Sequence, residues 1–124
     1  MLNDAHRVWT PSKLTAVAES AGRVGEPGGA HHYANTNSIV LGEIIDMVTG
    51  HSWDDEVRTR IVEPLGMTNT KVLGDEAPIG YKSVDGKFVD STHSMDPSTG
   101  GAAGALESTG RDLLKFAAAL ANGR

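Results

Sequence analysis

The sequence contains no cysteine, which removes disulfides, thiolate nucleophiles and thiolate metal sites together and leaves the redox compartment undetermined. Aromatic residues are scarce, two each of Trp, Tyr and Phe. Leu, Ile, Val and Phe together make up only about a fifth of the chain, close to the roughly 20% below which chains tend towards disorder. A core made from these residues is thin, and such a chain is expected to lean on a partner. No apolar run approaches the roughly 18 to 20 residues of a membrane span. The first residues, MLNDAHRVW, lack the basic and apolar regions of a signal peptide. Positive charge is also short, with 11 Lys and Arg against 16 Asp and Glu for a formal net charge of -5. The basic residues form no cluster, so nucleic acid is not expected among the partners, and without a long apolar run no membrane span is expected either.

What is present suits one domain covering residues 1–124. Thr10-Pro11 is an N-cap followed by proline at the first helical position, and Leu14, Val17 and Ala18 follow at helical spacing up to Ala21-Gly22. Gly25-Glu26-Pro27-Gly28-Gly29 is too rich in turn formers for regular structure. From Thr36 to Thr49 the residues Val40, Leu41, Ile44, Ile45 and Val48 predict a buried helix face, closed by Gly50. Ser52 with Asp55 resembles a capping box opening a helix with Val57, Ile61 and Val62 on its face, which Pro64 stops. Asp85-Gly86 between Tyr81–Val84 and Lys87–Val89 predicts a hairpin with a type I′ turn. Ser91 to Ala105 has no period. Thr109 to Asp112 is a second capping-box pattern, leading into a helix with Leu113, Leu114, Phe116, Ala117 and Leu120 on one side and Gly123 at its end. The sum is a mainly α chain of the α+β class, with one small β-hairpin.

The candidates for chemistry are few. His6, His31, His32, His51 and His93 have no carboxylate at i+3 or i+4 on a shared helix, and adjacent His31 and His32 point apart, so no metal site is expected. Gly100, Gly101 and Gly104 resemble a phosphate loop only superficially: no Gly-Lys-Ser/Thr follows them and no strand precedes. No cofactor is expected. Asn35 and Asn37 are candidate helix caps, the better reading for Asn37. Asp54-Asp55-Glu56 reads as the acidic first turn of a helix.

The run Tyr33-Ala34-Asn35-Thr36-Asn37-Ser38-Ile39-Val40-Leu41-Gly42, continuing to Val48-Thr49-Gly50, resembles a signature stretch of the penicillin-recognising serine hydrolases. These include class C β-lactamases, D-alanyl-D-alanine carboxypeptidases and related esterases. Four further segments agree in order: Trp9-Thr10-Pro11, Pro27-Gly28, Glu63 to Thr70 (EPLGMTNT) and Ala103 to Thr109 (AGALEST). The resemblance covers nearly the whole chain. It implies that Tyr33 is the general base and acid at the nucleophile and leaving group, and that Asn35 orients a lysine and the substrate's amide carbonyl.

Such catalysis also needs a serine in a Ser-x-x-Lys and a Lys-Thr-Gly-like strand. Neither triplet nor tetrad occurs in the 124 residues. Thr68-Asn69-Thr70-Lys71 sits in the segment that resembles a surface turn, and Ser98-Thr99-Gly100 and Ser108-Thr109-Gly110 fall in the wrong segments. The chain therefore reads as the helical subdomain of a β-lactamase-like fold, lacking the α/β sheet domain, with a fragmentary start at Met1. Two readings follow. One is a part of a serine hydrolase acting on β-lactams, D-Ala-D-Ala peptides or esters, inactive when isolated. The other is a stand-alone helical binding or oligomerisation module derived from such an enzyme. Expected partners are the missing α/β portion or, through helix faces left uncovered, a second copy in a homodimer. Localisation is undetermined, since an export signal like that of many relatives would lie outside these residues.

Overall fold

The structure, a computed structural model, describes residues 7–72 and 79–123. Helix α1 spans Pro11–Ala21; the side chain of Thr10 accepts from the Lys13 N–H and Pro11 opens the first turn. Helix α2 spans Asn35–Thr49 and ends on Gly50, whose φ of 74° is the left-handed cap that residues with a Cβ rarely adopt. Helix α3, Trp53–Val57, runs into one π-helical turn over Arg58–Val62. In that turn the Glu63 N–H reaches the Arg58 carbonyl five residues back. Strand β1 (Lys71–Val72) pairs antiparallel with β4 (Leu106–Glu107), and β2 (Tyr81–Val84) with β3 (Lys87–Asp90). Asp85 and Gly86 both have positive φ, 49° and 75°, as a type I′ turn requires. Two 3₁₀ turns, Pro97–Thr99 and Gly101–Ala103, occupy the stretch without period. Helix α4 spans Gly110–Ala121, capped by Thr109.

Helix α2 is the centre of the arrangement, packing on α1, on α3 and on the Gly101–Ala103 turn. Gly42 makes the last contact possible: a Cβ there would lie 2.8 Å from the Ala102 Cβ and 3.4 Å from the Trp53 ring. The buried apolar residues are Trp9, Ile39, Met67, Ala105 and Ala119. Trp9 is tied in by its N–H, which donates to Ser98 Oγ at 2.8 Å, and the Arg7 guanidinium lies 4.3 Å above its ring. Ser98 Oγ in turn donates to Asp96 Oδ1.

Three expectations are corrected. The α2 face named from the sequence is not buried: Leu41, Ile44 and Val48 are exposed, and the helix turns Ile39 and Gly42 inward. The periodicity is real, but nothing among the described residues covers that side of the helix. Ser52 does not cap α3 through the backbone; its hydroxyl donates to the Asp55 carboxylate at 3.1 Å. Thr109 caps α4 with a weak 3.3 Å bond from the Asp112 N–H, but the Asp112 carboxylate does not return to it.

That carboxylate is fully buried, at 0% exposure. Asp112 Oδ2 accepts from the Asn69 N–H at 2.7 Å and from Thr70 Oγ1 at 3.2 Å. Oδ1 accepts from Lys115 Nζ at 2.9 Å, and the same ammonium donates to the Gly66 carbonyl. Helix α4 is thereby pinned to the turn that follows α3. The Lys115 hydrogen bond is the main reason why the Asp112 carboxyl titrates below its usual range; burial works against this, and the Asn69 and Thr70 donors support it.

Two outcomes follow. Gly42→Leu must push α2 off the Gly101–Ala103 turn and should destabilise the fold by roughly 1–3 kcal/mol; an unchanged urea midpoint would show that the contact is loose. Because the folded-state pKa of Asp112 is depressed, its contribution is complete above the unfolded carboxylate value of about 4 and fades as pH falls below it. Asp112→Ala should therefore lower the urea midpoint clearly at pH 7 and much less at pH 3. Equal losses at the two pH values would mean that the ionised form is not what holds α4.

Candidate active site

The approach to α2 decides where Tyr33 and Asn35 stand. The glycine-rich loop carries the chain from α1 to Ala34, which occupies the N-cap position in extended conformation and offers no side-chain cap. Asn35 is the first helical residue. Its side chain is thus turned to Tyr33 rather than to the backbone, and the Tyr33 hydroxyl donates to Asn35 Oδ1 at 2.8 Å. Asn37 does not cap either; only its backbone N–H takes part in the first turn, reaching the Ala34 carbonyl at 3.2 Å. The capping expectation for both asparagines is corrected: Ala34 holds the place a capping side chain would take.

Tyr33 is 82% exposed. Its proton is engaged by Asn35, so the oxygen lone pairs remain directed to the surroundings, where they can accept a hydrogen bond from an incoming hydroxyl. The Asn35 amide nitrogen is a donor suited to a carbonyl oxygen. Both groups sit at the N-terminal end of a 15-residue helix, whose dipole favours developing negative charge nearby. Proton transfer and carbonyl polarisation are within reach of such a pair.

His31 and His32 are exposed just before it. The His32 ring folds back over Gly25, where an added Cβ would lie 3.1 Å from its Cδ2. His51 and His93 lie elsewhere in the chain, and His6 falls outside the described residues. No group of three or more His, Asp or Glu able to hold a metal occurs among the described residues.

Two polar clusters were not foreseen. His51 Nδ1 meets Glu56 Oε1 at 2.9 Å, and Arg60 pairs with the other carboxylate oxygen. The His51 bond, opposed by burial and aided by Arg60, lowers the pKa of Glu56 below the usual glutamate value. The Glu56 to Arg60 spacing of four was its signal in the sequence. The Asp112 cluster had a weaker one, the Asp112 to Lys115 spacing of three, hidden by the capping-box pattern. Neither cluster includes Tyr33 or Asn35. A crevice of about 380 Å³ lies between the start of α1, α2, α3 and the 96–105 segment, bounded by Trp9, Ile39, Trp53, Asp54 and Ser98. Its walls do not include Tyr33 or Asn35 either, so the pair does not line this crevice.

The chain resembles known proteins over its whole length. D-amino acid amidase from Ochrobactrum anthropi SV3, solved with D-phenylalanine, superposes on 100% of this chain with a TM-score of 0.86 and 34% identity. The match takes up 40% of the amidase. D-stereospecific amidohydrolase from a Streptomyces species matches 99% of this chain, again at a TM-score of 0.86 and 34% identity, using 38% of its own length. Penicillin-binding protein 4 of Amycolatopsis lactamdurans is 29% identical over 115 residues, 84% of this chain and 30% of that protein. The chain thus spans less than half the length of these relatives, and within them it corresponds to the mainly helical part of a β-lactamase-like fold. The family model described as Beta-lactamase matches residues 1–124, and the chain belongs to that family.

Proposed function

We propose that this chain is the portion of an acyl-transferring serine hydrolase that supplies the tyrosine and asparagine of its site, with the nucleophile supplied from outside these residues. The observation that carries this reading is the 2.8 Å bond from the Tyr33 hydroxyl to Asn35 Oδ1, with the phenol otherwise exposed. Serine is a weak nucleophile until a neighbouring group takes its proton. Tyr33 would relay that proton: the serine oxygen bonds to the carbonyl carbon, the carbon–nitrogen bond breaks, and the departing nitrogen receives the proton by way of the phenol oxygen. Water then hydrolyses the acyl ester by the reverse relay. Asn35 holds the phenol at one angle and presents its amide to the substrate. These roles come from resemblance together with geometry.

For the substrate, the relatives favour an amide whose α-carbon, next to the acyl carbonyl, is D-configured: they include a D-amino acid amidase and a D-stereospecific amidohydrolase, each at 34% identity, beside penicillin-binding proteins. The esterase reading draws no support from these names. No Ser-x-x-Lys stands in the 124 residues, so the isolated chain is expected to be inert.

Intact-mass spectrometry after incubation with a fluorophosphonate probe, and separately with a penicillin, tests this. An unmodified mass is expected; a stoichiometric adduct on one serine would mean that the chain builds a complete site of its own. A second outcome concerns Tyr33 and Asn35 themselves. Residues kept for chemistry at an exposed position should not hold the fold, so Tyr33→Phe and Asn35→Ala are each expected to change stability by no more than about 0.5 kcal/mol. A loss of several times that on urea unfolding would assign the pair a structural role instead.

A further inference from the structure

Both tryptophans of the chain, Trp9 and Trp53, line the same crevice of about 380 Å³. That volume lies in the range of small-molecule clefts, roughly 300–1,000 Å³, and is far more than the ~30 Å³ share of a water molecule. Most of the remaining wall is aliphatic or backbone. Its exceptions are Ser98 and two carboxylates, Asp54 and Asp96. Among the described residues no Lys, Arg or His stands in this wall. An indole-lined cleft with negative charge and no positive charge is complementary to a cation.

The indoles are held in place by the fold. Trp9 is buried, and its backbone N–H donates to Ser98 Oγ at 2.8 Å. Its ring already carries one cation, the Arg7 guanidinium 4.3 Å from the ring centre, and Arg7 is not part of the crevice wall. The Trp53 ring lies against Gly42, where an added Cβ would come within 3.4 Å of it. Rings fixed in advance lose little freedom when a ligand arrives.

The carboxylates differ in their engagements. Three acidic residues fill the first turn of α3. Asp55 is taken by Ser52 and Arg58, and Glu56 by His51 and Arg60. Asp54, half-buried in the crevice wall, has no such partner among the described residues. Asp96 turns Oδ1 to the N–H and hydroxyl of Ser98, which keeps a second negative charge at the same cleft.

We propose that this crevice binds a small organic ammonium ion, with the apolar body of the ligand against Trp9 and Trp53 and its charge opposed by Asp54. The site is separate from Tyr33 and Asn35 and does not depend on the role given to them. A neutral ligand of the same shape would leave the Asp54 carboxylate desolvated without compensation, and an anion would be repelled.

Tryptophan emission tests this directly, because the chain has no tryptophan outside the crevice. Three probes of one shape are compared: choline, 3,3-dimethylbutan-1-ol and 3,3-dimethylbutanoate. Choline should give a saturable change with a Kd of about 1 mM, at least about tenfold tighter than the alcohol, and the carboxylate should give none. No saturable change with choline, or an equal response to the alcohol, would overturn the proposal. This series needs no variant, so it stands even if a substitution fails to fold. Asp54→Asn should weaken choline at least about tenfold, whereas Asp55→Asn should not. Equal losses would mean that only overall charge matters, which also overturns it. Emission that depends on chain concentration and is reversed by choline would place a cationic side chain of a second copy in the cleft, against the proposal. Tyr33→Phe should bind choline as the parent does, so the cleft and the Tyr33 site can fail independently.

Discussion

A single buried carboxylate decides which way α4 faces. Asp112 accepts from the Asn69 N–H, from Thr70 and from Lys115, and Lys115 also reaches the Gly66 carbonyl. A charge enclosed at this depth is tolerated only with its hydrogen bonds made, and these come from the turn after α3 and from Lys115 of α4 itself. With Asp112 fixed inward, helical geometry places Leu114, about 200° round the helix, on the outer side, and Leu113 and Leu120 are exposed on its flank. The polar contact inside and the apolar stripe outside are therefore one fact seen from two sides. The core is thin: several large aliphatic side chains lie on the outer surface, and the fully buried apolar residues are Trp9, Ile39, Met67 and two alanines.

Local structure was legible in the sequence because local signals produce it. Thr10-Pro11, Gly50 and Asp85-Gly86 each act through their own backbone or through a neighbour three or four residues away, and each stands where the spacing places it. The direction of the helix faces was not legible for α2, because periodicity reports which residues share a side and not whether anything lies against it. The burial of Asp112 was hidden for a related reason. Two of its donors lie about forty residues earlier in the chain, and the capping-box pattern supplied a nearer explanation that only Thr109 fulfils. The π-helical turn at Arg58–Val62 and the short β1–β4 pairing had no signature at all; both depend on how distant segments meet.

The candidate site lies between these two cases. Tyr33-x-Asn35 was visible as a pattern, and the hydrogen bond between the two residues gives it geometry. The asparagines were also read as helix caps, and that failed because Ala34 takes the capping position. The failure is informative: a side chain that capped the helix would be unable to hold the phenol. The helix gives up a stabilising contact at its start, and the side chain nearest that start is engaged by the tyrosine.

Because Tyr33 and Asn35 are separated by one residue at the entry to a helix, their mutual position is set by a single turn of backbone. Nothing beyond that turn has to be conserved for the distance between the two side chains to persist. Loops may lengthen, the hairpin may drift and the faces of α2 may be repacked without uncoupling them. The geometry of the pair is thus local, and it tolerates large changes in the surrounding protein.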